Sequence, residues 1–202
     1  MGISAEQFRQ MEERLGRSSR RPSPVIAPVA TVLPNRATLV LGLDPSLRGT
    51  GYGIIRVAKP VPETLIHGTI RCASSWARSR CLAEIATTLR GVLKQYPAEL
   101  CVIEGIFYAQ NLQTAMIMGE ARGAALAAIA EAGAEIVELA PRKVKQAIVG
   151  YGAAGKDAVA KMVQRMLRLP EPPAPDAADA LALALAHVQS ANRYSLARAR
   201  SI

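Results

Sequence analysis

Runs of apolar residues along the chain predict five β-strands. The first two runs, Leu39 to Leu43 and Gly51 to Val57, flank a short loop that contains Pro, Ser, Arg and Gly. The first run is apolar on both alternating faces, which is typical of a central strand that helices cover on both sides. Gly49 and Gly51 permit the turn between two antiparallel neighbours. The other three strands are expected over residues 64–72, 100–103 and 134–139.

Helices are predicted between and after these strands. The first, Arg78 to Tyr96, has apolar residues at helical spacing and is ended by Pro97. The helix expected over residues 112–132 carries a stripe that allows close helix approach, either within the core or at the seam of a homodimer. The stripe consists of Met116, Met118, Gly119, Gly123 and Ala127. Three later helices are expected over residues 141–148, 156–169 and 176–189.

The two ends of the chain have a different composition. Ser4 to Gln7 resembles a capping box before a short polar helix that reaches about Leu15. Ser18 to Arg36 has four prolines with Ser and Arg, which is typical of a linker. We therefore expect residues 1–36 to be a disordered or partly helical basic extension, residues 37–190 to be one domain, and residues 191–202 to be a basic tail.

The composition narrows the class of protein. With 202 residues, half of them hydrophobic, the chain suits one domain with a substantial core plus tails. No apolar run approaches ~20 residues and no leader opens the chain, so we expect a cytoplasmic protein without a transmembrane helix. Three cysteines without CxxC spacing and two histidines support neither a zinc site nor a disulfide framework.

The formal net charge of +9 is unevenly distributed. Between Pro141 and Pro170, the chain has seven basic residues and only one acidic residue, Asp157. This excess is either a solvated helix face or a surface that follows phosphates. The seven residues are Arg142, Lys143, Lys145, Lys156, Lys161, Arg165 and Arg168.

Four carboxylates stand at positions that invite a chemical explanation. Asp44 follows the first strand and Glu104 follows the fourth. A carboxylate at the end of a buried strand is costly unless donors or a cation compensate it. Asp44 therefore either caps a turn over Ser46 and Leu47 or takes part in chemistry.

The other two carboxylates belong to the last helix. Asp176 and Asp179 are three residues apart and share one face of its first turn. Taken alone, Asp176 is explained as an N-cap and Asp179 as an acid at the N3 position that faces the helix dipole. Four converging carboxylates, however, would repel one another strongly without metal. Divalent cations would resolve that repulsion.

From about Thr38 to His187, the sequence resembles the RuvC family of Holliday-junction resolvases, which belong to the ribonuclease H-like superfamily. The similar segments occur in the family's order and spacing: LGLDPSLRGTGYGIIRV, CVIEGIFYAQN, GEARGAALAA, PRKVKQAIVGYGAAGK and PDAADALALALAH. The chain departs from the family pattern at Ser46, where Gly is more common, and in its N-terminal extension. Neither departure removes an acid.

The resemblance implies an α/β protein with a ribonuclease H-like fold, in which helices flank both faces of a five-stranded mixed sheet. It also implies a homodimeric crossover junction endodeoxyribonuclease with two active sites. Such an enzyme makes paired nicks in two symmetry-related strands of a four-way DNA junction during homologous recombination and DNA repair. A branch-migration helicase complex is a further possible partner.

The resemblance also assigns roles to residues. Two Mg²⁺ ions, or Mn²⁺ as a substitute, would be bridged by Asp44, with Glu104 on one ion and Asp179 with Asp176 on the other. Lys156 would assist transition-state charge. The residues expected to contact DNA are Arg142, Lys143, Lys145 and Lys156, together with Phe107. Phe107 would stack on a base at the opened junction centre, and its alternative is a place in the core.

Two other classes remain open. The actin and sugar-kinase ATPase core has a related opening hairpin, but this chain is too short for the second lobe and lacks a second Gly-rich phosphate loop. A catalytically silent junction-binding module is the other alternative. The presence of all four acids argues against it, and Mg²⁺-dependent nicking of a four-way junction would distinguish the two.

Overall fold

A computed structural model of the chain describes Glu6 and residues 38–105 and 111–198, with side chains up to residue 191. The chain divides into two units, Met1–Val32 and Leu33–Ile202. Residues 38–105 and 111–198 belong to the second unit. The extension and linker predicted for residues 1–36 lie outside the described residues, apart from Glu6 in a helical conformation. Their role stays a prediction.

Within the described part of the second unit, five strands form one mixed sheet in the order β3-β2-β1-β4-β5. The strands are β1 Leu39–Asp44, β2 Gly49–Arg56, β3 Glu63–Arg71, β4 Leu100–Glu104 and β5 Glu135–Leu139. The first three are antiparallel neighbours. β4 pairs in parallel with β1, and β5 pairs in parallel with β4. The prediction of a five-stranded mixed sheet with β1 at its centre is confirmed.

Five helices accompany this sheet over the same described ranges. They are α1 Arg78–Gln95, α2 Leu112–Glu131, α3 Pro141–Val149, α4 Lys156–Leu167 and α5 Pro175–Arg198. α4 ends before the predicted Leu169 because Arg168 adopts a left-handed conformation with φ of 52°. α5 continues beyond the predicted end at Gln189, since residues 190–198 contain neither Gly nor Pro to stop it. The predicted domain boundary at residue 190 therefore falls inside a helix.

The hydrophobic core has two layers, one on each face of the sheet. β1 contributes to both, with Val40 facing α3, α4 and α5, and with Leu41 and Leu43 facing α1 and α2. All three side chains are fully buried. Helices therefore cover both faces, as predicted for a central strand without polar alternation. None of the described helices is both long enough and apolar enough to span a bilayer.

α2 buries a different face from the one expected. The core interpretation of the stripe at residues 116, 118, 119, 123 and 127 is wrong, because all five positions are exposed. The buried positions are instead Ala121, Ala125, Ala128 and Ile129, together with Arg122. The stripe is thus open to a partner.

The cysteines are part of this core. Cys72, Cys81 and Cys101 are free and buried. Burial raises the pKa of Cys101 to about 12 and that of Cys72 to about 11. Both thiols are therefore protonated and unreactive at neutral pH.

Candidate active site

The first two acids meet because β1 and β4 run in parallel side by side. Leu43 is in register with Ile103, so Asp44 and Glu104 occupy the next positions at the same edge of the sheet. Side chains alternate along each strand, which places both acids on the face that Val40 and Val102 present to α5. The sheet thus places these two carboxylates next to each other at one edge, on the face that α5 covers.

Glycines let α5 lie directly on this face. A Cβ atom at Gly51 would overlap the carbonyl oxygen of Asp176, and one at Gly42 would overlap that of Ala180. A Cβ atom at Gly49 would lie 3.1 Å from Oδ2 of Asp176. Because Gly51 is the register partner of Asp44, this close packing delivers the first turn of α5 beside the strand acids.

Burial and mutual repulsion raise the pKa values of two of these carboxylates. The pKa of Asp44 is raised from 3.8 to about 7, first by burial, then by the charges of Glu104 and Asp179. The pKa of Glu104 is also raised, by burial and by Asp179, while Lys156 and Lys145 oppose the shift. The other three carboxylates all act on Asp44, so the four predicted acids form one electrostatic cluster around it.

The capping explanations for Asp44 and Asp176 do not match the geometry. The amide of Ser46 donates to Oγ1 of Thr50 at 3.2 Å, so it does not close a turn on Asp44. α5 begins at Pro175, which places Asp176 inside the first turn rather than at the N-cap position. Asp179 accepts from Nζ of Lys156, 3.1 Å from its Oδ2. This contact raises the pKa of Lys156, mainly through the hydrogen bond to Asp179.

The donor set suits a hard divalent cation, because it consists of carboxylate oxygens and no thiol or imidazole. As the side chains are placed, however, no three His, Cys, Asp or Glu residues within the described ranges form a group that could hold a metal ion. One reason is visible in the ion pair of Lys156 with Asp179, which occupies a carboxylate oxygen with an ammonium. The acids therefore fit a metal by chemistry, and their side chains would have to turn to enclose one.

Arg122 is a site residue that the sequence reasoning missed. It lies on the buried face of α2, with 8% of its surface exposed. Its Nη1 donates to the carbonyl oxygen of Glu104 at 2.5 Å, and its Nη2 pairs with the carboxylate of Glu138 on β5. Arg122 thereby fixes the end of β4, and it lines a small concavity with Asp44 and Glu104. A single arginine in an Ala-rich helix was the available signal.

The predicted DNA-contacting residues divide into three groups. Lys145 and Lys156 lie close enough to the acids to act on the pKa of Glu104. Arg142 and Lys143 are exposed on α3. Phe107 lies outside the described residues, so its two interpretations stay predictions.

Comparison with known proteins adds an independent finding. A family model described as crossover junction endodeoxyribonuclease RuvC matches residues 40–187. The chain is 43% identical over 150 residues to the crossover junction endodeoxyribonuclease RuvC of Tolumonas auensis, covering 74% of this chain and 86% of that protein.

Solved structures agree with the sequence match. T. thermophilus RuvC in complex with Holliday junction substrate is similar with a TM-score of 0.72 and 32% identity, over 78% of this chain and 97% of that chain. The yeast mitochondrial Holliday junction resolvase Ydc2 is similar with a TM-score of 0.60 and 10% identity, over 81% of this chain and 84% of that chain. The second likeness shows a shared fold alone.

Proposed function

Because this chain belongs to the RuvC family of crossover junction endodeoxyribonucleases, it is a nuclease that resolves Holliday junctions, and we propose that it cuts by metal-dependent hydrolysis. The cuts are paired nicks in two symmetry-related strands of the junction. The observation that carries the mechanism is the cluster of four carboxylates at one edge of the sheet, in which burial and then mutual repulsion raise the pKa of Asp44 to about 7. A cluster of this kind is stabilised by divalent cations.

The metal ligands are assigned to the four acids. Asp44 would bridge two Mg²⁺ or Mn²⁺ ions, Glu104 would bind one, and Asp179 with Asp176 would bind the other. Such a pair of ions, when bound, supplies an activated water and stabilisation of the leaving 3′ oxygen in an in-line displacement. Asp179 would have to exchange its contact with Lys156 for the metal. Lys156 would then be free to face the charge that develops on the phosphate.

DNA binding is assigned to the basic surface beside the acids. Lys156 and Lys145 both act to lower the pKa of Glu104, which supports a role for their ammonium groups beside the proposed cleavage site. Arg142 and Lys143 on α3 are exposed and extend this charge. Phe107 is assigned to stacking on an unpaired base at the junction centre, a contact worth about 1 to 3 kcal/mol.

A homodimer accounts for paired cuts, because a two-fold axis presents two identical sites to a junction with two equivalent strands. The exposed face of α2 is the proposed seam. It holds two of the exposed large hydrophobic side chains of the described residues, Leu112 and Met116, whereas Met118 lines the concavity beside Asp44 and Glu104. At Gly119 and Gly123 on the same helix, a Cβ atom would meet nothing within 4 Å. A branch-migration helicase complex is proposed as a further partner.

The decisive test is cleavage of a synthetic four-way junction with each strand labelled in turn. Wild-type protein with Mg²⁺ is expected to nick two opposite strands and to leave a linear duplex of the same sequence intact. Asp44→Asn should still bind the junction while its cleavage falls by more than about 100-fold. Losing a residue that merely supports a metal ligand costs up to about 100-fold in activity, and losing the ligand itself should cost more. Junction binding by the wild type without any nicking would instead support the junction-binding module.

A further inference from the structure

A second group of arginines follows the end of β3, at the same edge of the sheet as the four acids. β3 ends at Arg71 and α1 begins at Arg78. Between Arg71 and Arg80 the chain has three arginines and no Asp or Glu. The assigned DNA-contacting residues do not include any of them. Arg71 and Arg80 are the two exposed arginines of this group without an ion pair among the described residues, whereas Arg78 is paired.

Arg71 starts beside the catalytic cluster. It is the register partner of Gly49 in the antiparallel pair of β2 and β3. Directly opposed residues point to the same face, with Cβ atoms about 5 Å apart. A Cβ atom at Gly49 would lie 3.1 Å from Oδ2 of Asp176, so the Arg71 side chain begins one strand away from that carboxylate. It is exposed and has no hydrogen bond or ion pair within the described residues.

The loop that follows Arg71 is held in place by Arg48. Nη1 of Arg48 donates to the carbonyl oxygen of Ala73 at 2.5 Å, and its Nη2 donates to that of Trp76 at 3.2 Å. Nη1 also lies 3.1 Å from Sγ of the buried Cys81. Arg48 comes from the turn that directly follows Asp44, so the loop is tied to the active-site hairpin. A surface that is ordered in advance loses less entropy when a ligand binds.

Arg80 is held above the indole of Trp76. Its Cζ lies 3.8 Å from the ring centroid, a cation–π contact that leaves the guanidinium charged and exposed. Glu84, one helical turn away, instead accepts a hydrogen bond from Oγ1 of Thr88 at 3.4 Å. Arg78 differs from Arg80, because it is paired with Glu120 on α2.

We propose that Arg71 and Arg80 form a phosphate-binding surface for the DNA strand that passes through the active site, on the β3 side of the acids. This inference rests on the proposed function and names a further part of its substrate contact. The sheet order places the acid of β1 between Lys145, which acts on Glu104 of β4, and Arg71 of β3. A bound DNA strand would therefore contact basic side chains on both sides of the cleaved bond.

The sheet also limits how far from the cut the phosphate contacted by Arg71 can lie. Arg71 is two strand spacings from Asp44, or about 10 Å. This separation limits Arg71 to a phosphate of the bound strand within the first few nucleotides of the cleaved bond. Arg71 is the nearer of the two arginines by sheet register, so this position is assigned to it.

The first test measures binding in the full-length Asp44→Asn protein, which should hold the junction without cutting it. Arg71→Gln and Arg80→Gln, added singly, are each expected to weaken the dissociation constant several-fold. Each should lower the slope of log affinity against log salt by about 1, the loss of one phosphate contact. Arg80→Lys should restore the slope. The control is Arg56→Gln, on the same hairpin but at the end remote from Asp44, which should keep the parent slope.

The second test locates the contact. In a junction with single neutral methylphosphonate links, the parent should lose affinity at a position within the first few nucleotides of the cut, and Arg71→Gln should lose nothing further there. Unchanged salt slopes in both glutamine variants would overturn the phosphate-binding surface and leave the proposed function intact. A parent protein that fails to prefer junctions over duplex would overturn both.

Discussion

At the scale of the single residue, Asp44 links the metal-free stability of the protein to pH. Its pKa is 3.8 in the unfolded chain and about 7 in the fold, because burial and the charges of Glu104 and Asp179 favour the protonated form. A raised pKa contributes stability that is complete below about pH 4 and is lost as the pH rises through about 7. The loss corresponds to a free energy of unfolding on the order of 4 kcal/mol.

Melting temperatures between pH 4 and pH 8 in EDTA check this expectation. The wild type should melt at progressively lower temperature toward pH 8, and Mg²⁺ should restore much of the loss by neutralising the cluster. Asp44→Asn, which has no proton to lose, should show a flatter pH profile and a smaller response to Mg²⁺. Equal pH profiles for the two proteins would show that Asp44 does not set the pH dependence of the melting temperature.

Arg122 is expected to act on catalysis through Glu104, which makes it a positioning residue. Arg122→Gln removes the charged partner of Glu138 and leaves the carbonyl of Glu104 unbound, a cost of about 1 to 3 kcal/mol in stability. Because the end of β4 then loosens, kcat should fall with little change in KM, and the Mg²⁺ concentration for half-maximal activity should rise. Arg122→Lys should recover part of both.

A matched control for Arg122 exists on α1. Arg90 makes a similar pair with Glu131 but at an exposed site remote from the acids. Arg90→Gln should leave kcat and the Mg²⁺ requirement unchanged. If Arg122→Gln lowered the melting temperature but kept the wild-type Mg²⁺ requirement, its role would be structural only.

At the scale of the element, the close contact of α5 with β1 and β2 fixes where Asp176 and Asp179 lie. Gly51→Ala would force the carbonyl of Asp176 away, because the added Cβ atom overlaps it. Overpacking of this kind costs about 1 to 3 kcal/mol, and a displacement of about 1 Å can reduce activity by about 100-fold. We expect cleavage to fall by that order while circular dichroism shows a folded protein.

The control for Gly51→Ala is Gly91→Ala on α1, where a Cβ atom would meet nothing within 4 Å. It should be neutral or slightly stabilising, since Ala is the better helix former by about 1 kcal/mol. Full activity in Gly51→Ala would show that α5 tolerates the shift and that the glycines do not set the positions of the acids.

Some positions in these elements were predictable from the sequence and others were not. Asp44 and Glu104 were predictable because each ends an apolar run, and parallel strands bring such ends to one edge. The contact of Gly51 with Asp176 was not, because a glycine in a strand has several explanations and its neighbour in space is far away in sequence. Arg122 was missed for a related reason, since its partners lie on β4 and β5. The outward face of α2 was misassigned because Ala and Gly suit either side.

At the scale of the whole molecule, the exposed stripe of α2 predicts that cleavage of both strands depends on a second copy of the chain. Gly123→Glu places a charge in this stripe, where a Cβ atom meets nothing within 4 Å of the single chain. The single chain should therefore remain folded, while a partner packed against the stripe would be repelled. Sedimentation is expected to show a monomer for the variant and a dimer for the wild type.

A supercoiled plasmid with an extruded cruciform connects this association to the cuts. Two nicks made within one bound complex give linear plasmid, whereas a single nick releases the supercoils, removes the cruciform and leaves an open circle. The wild type should give mainly linear product, and Gly123→Glu should give slow conversion to open circle. Gly91→Glu, the same change at an equally open position of α1, should match the wild type in both assays. A dimeric Gly123→Glu protein with mainly linear product would exclude this face of α2 as the seam and direct the search to another surface of the chain.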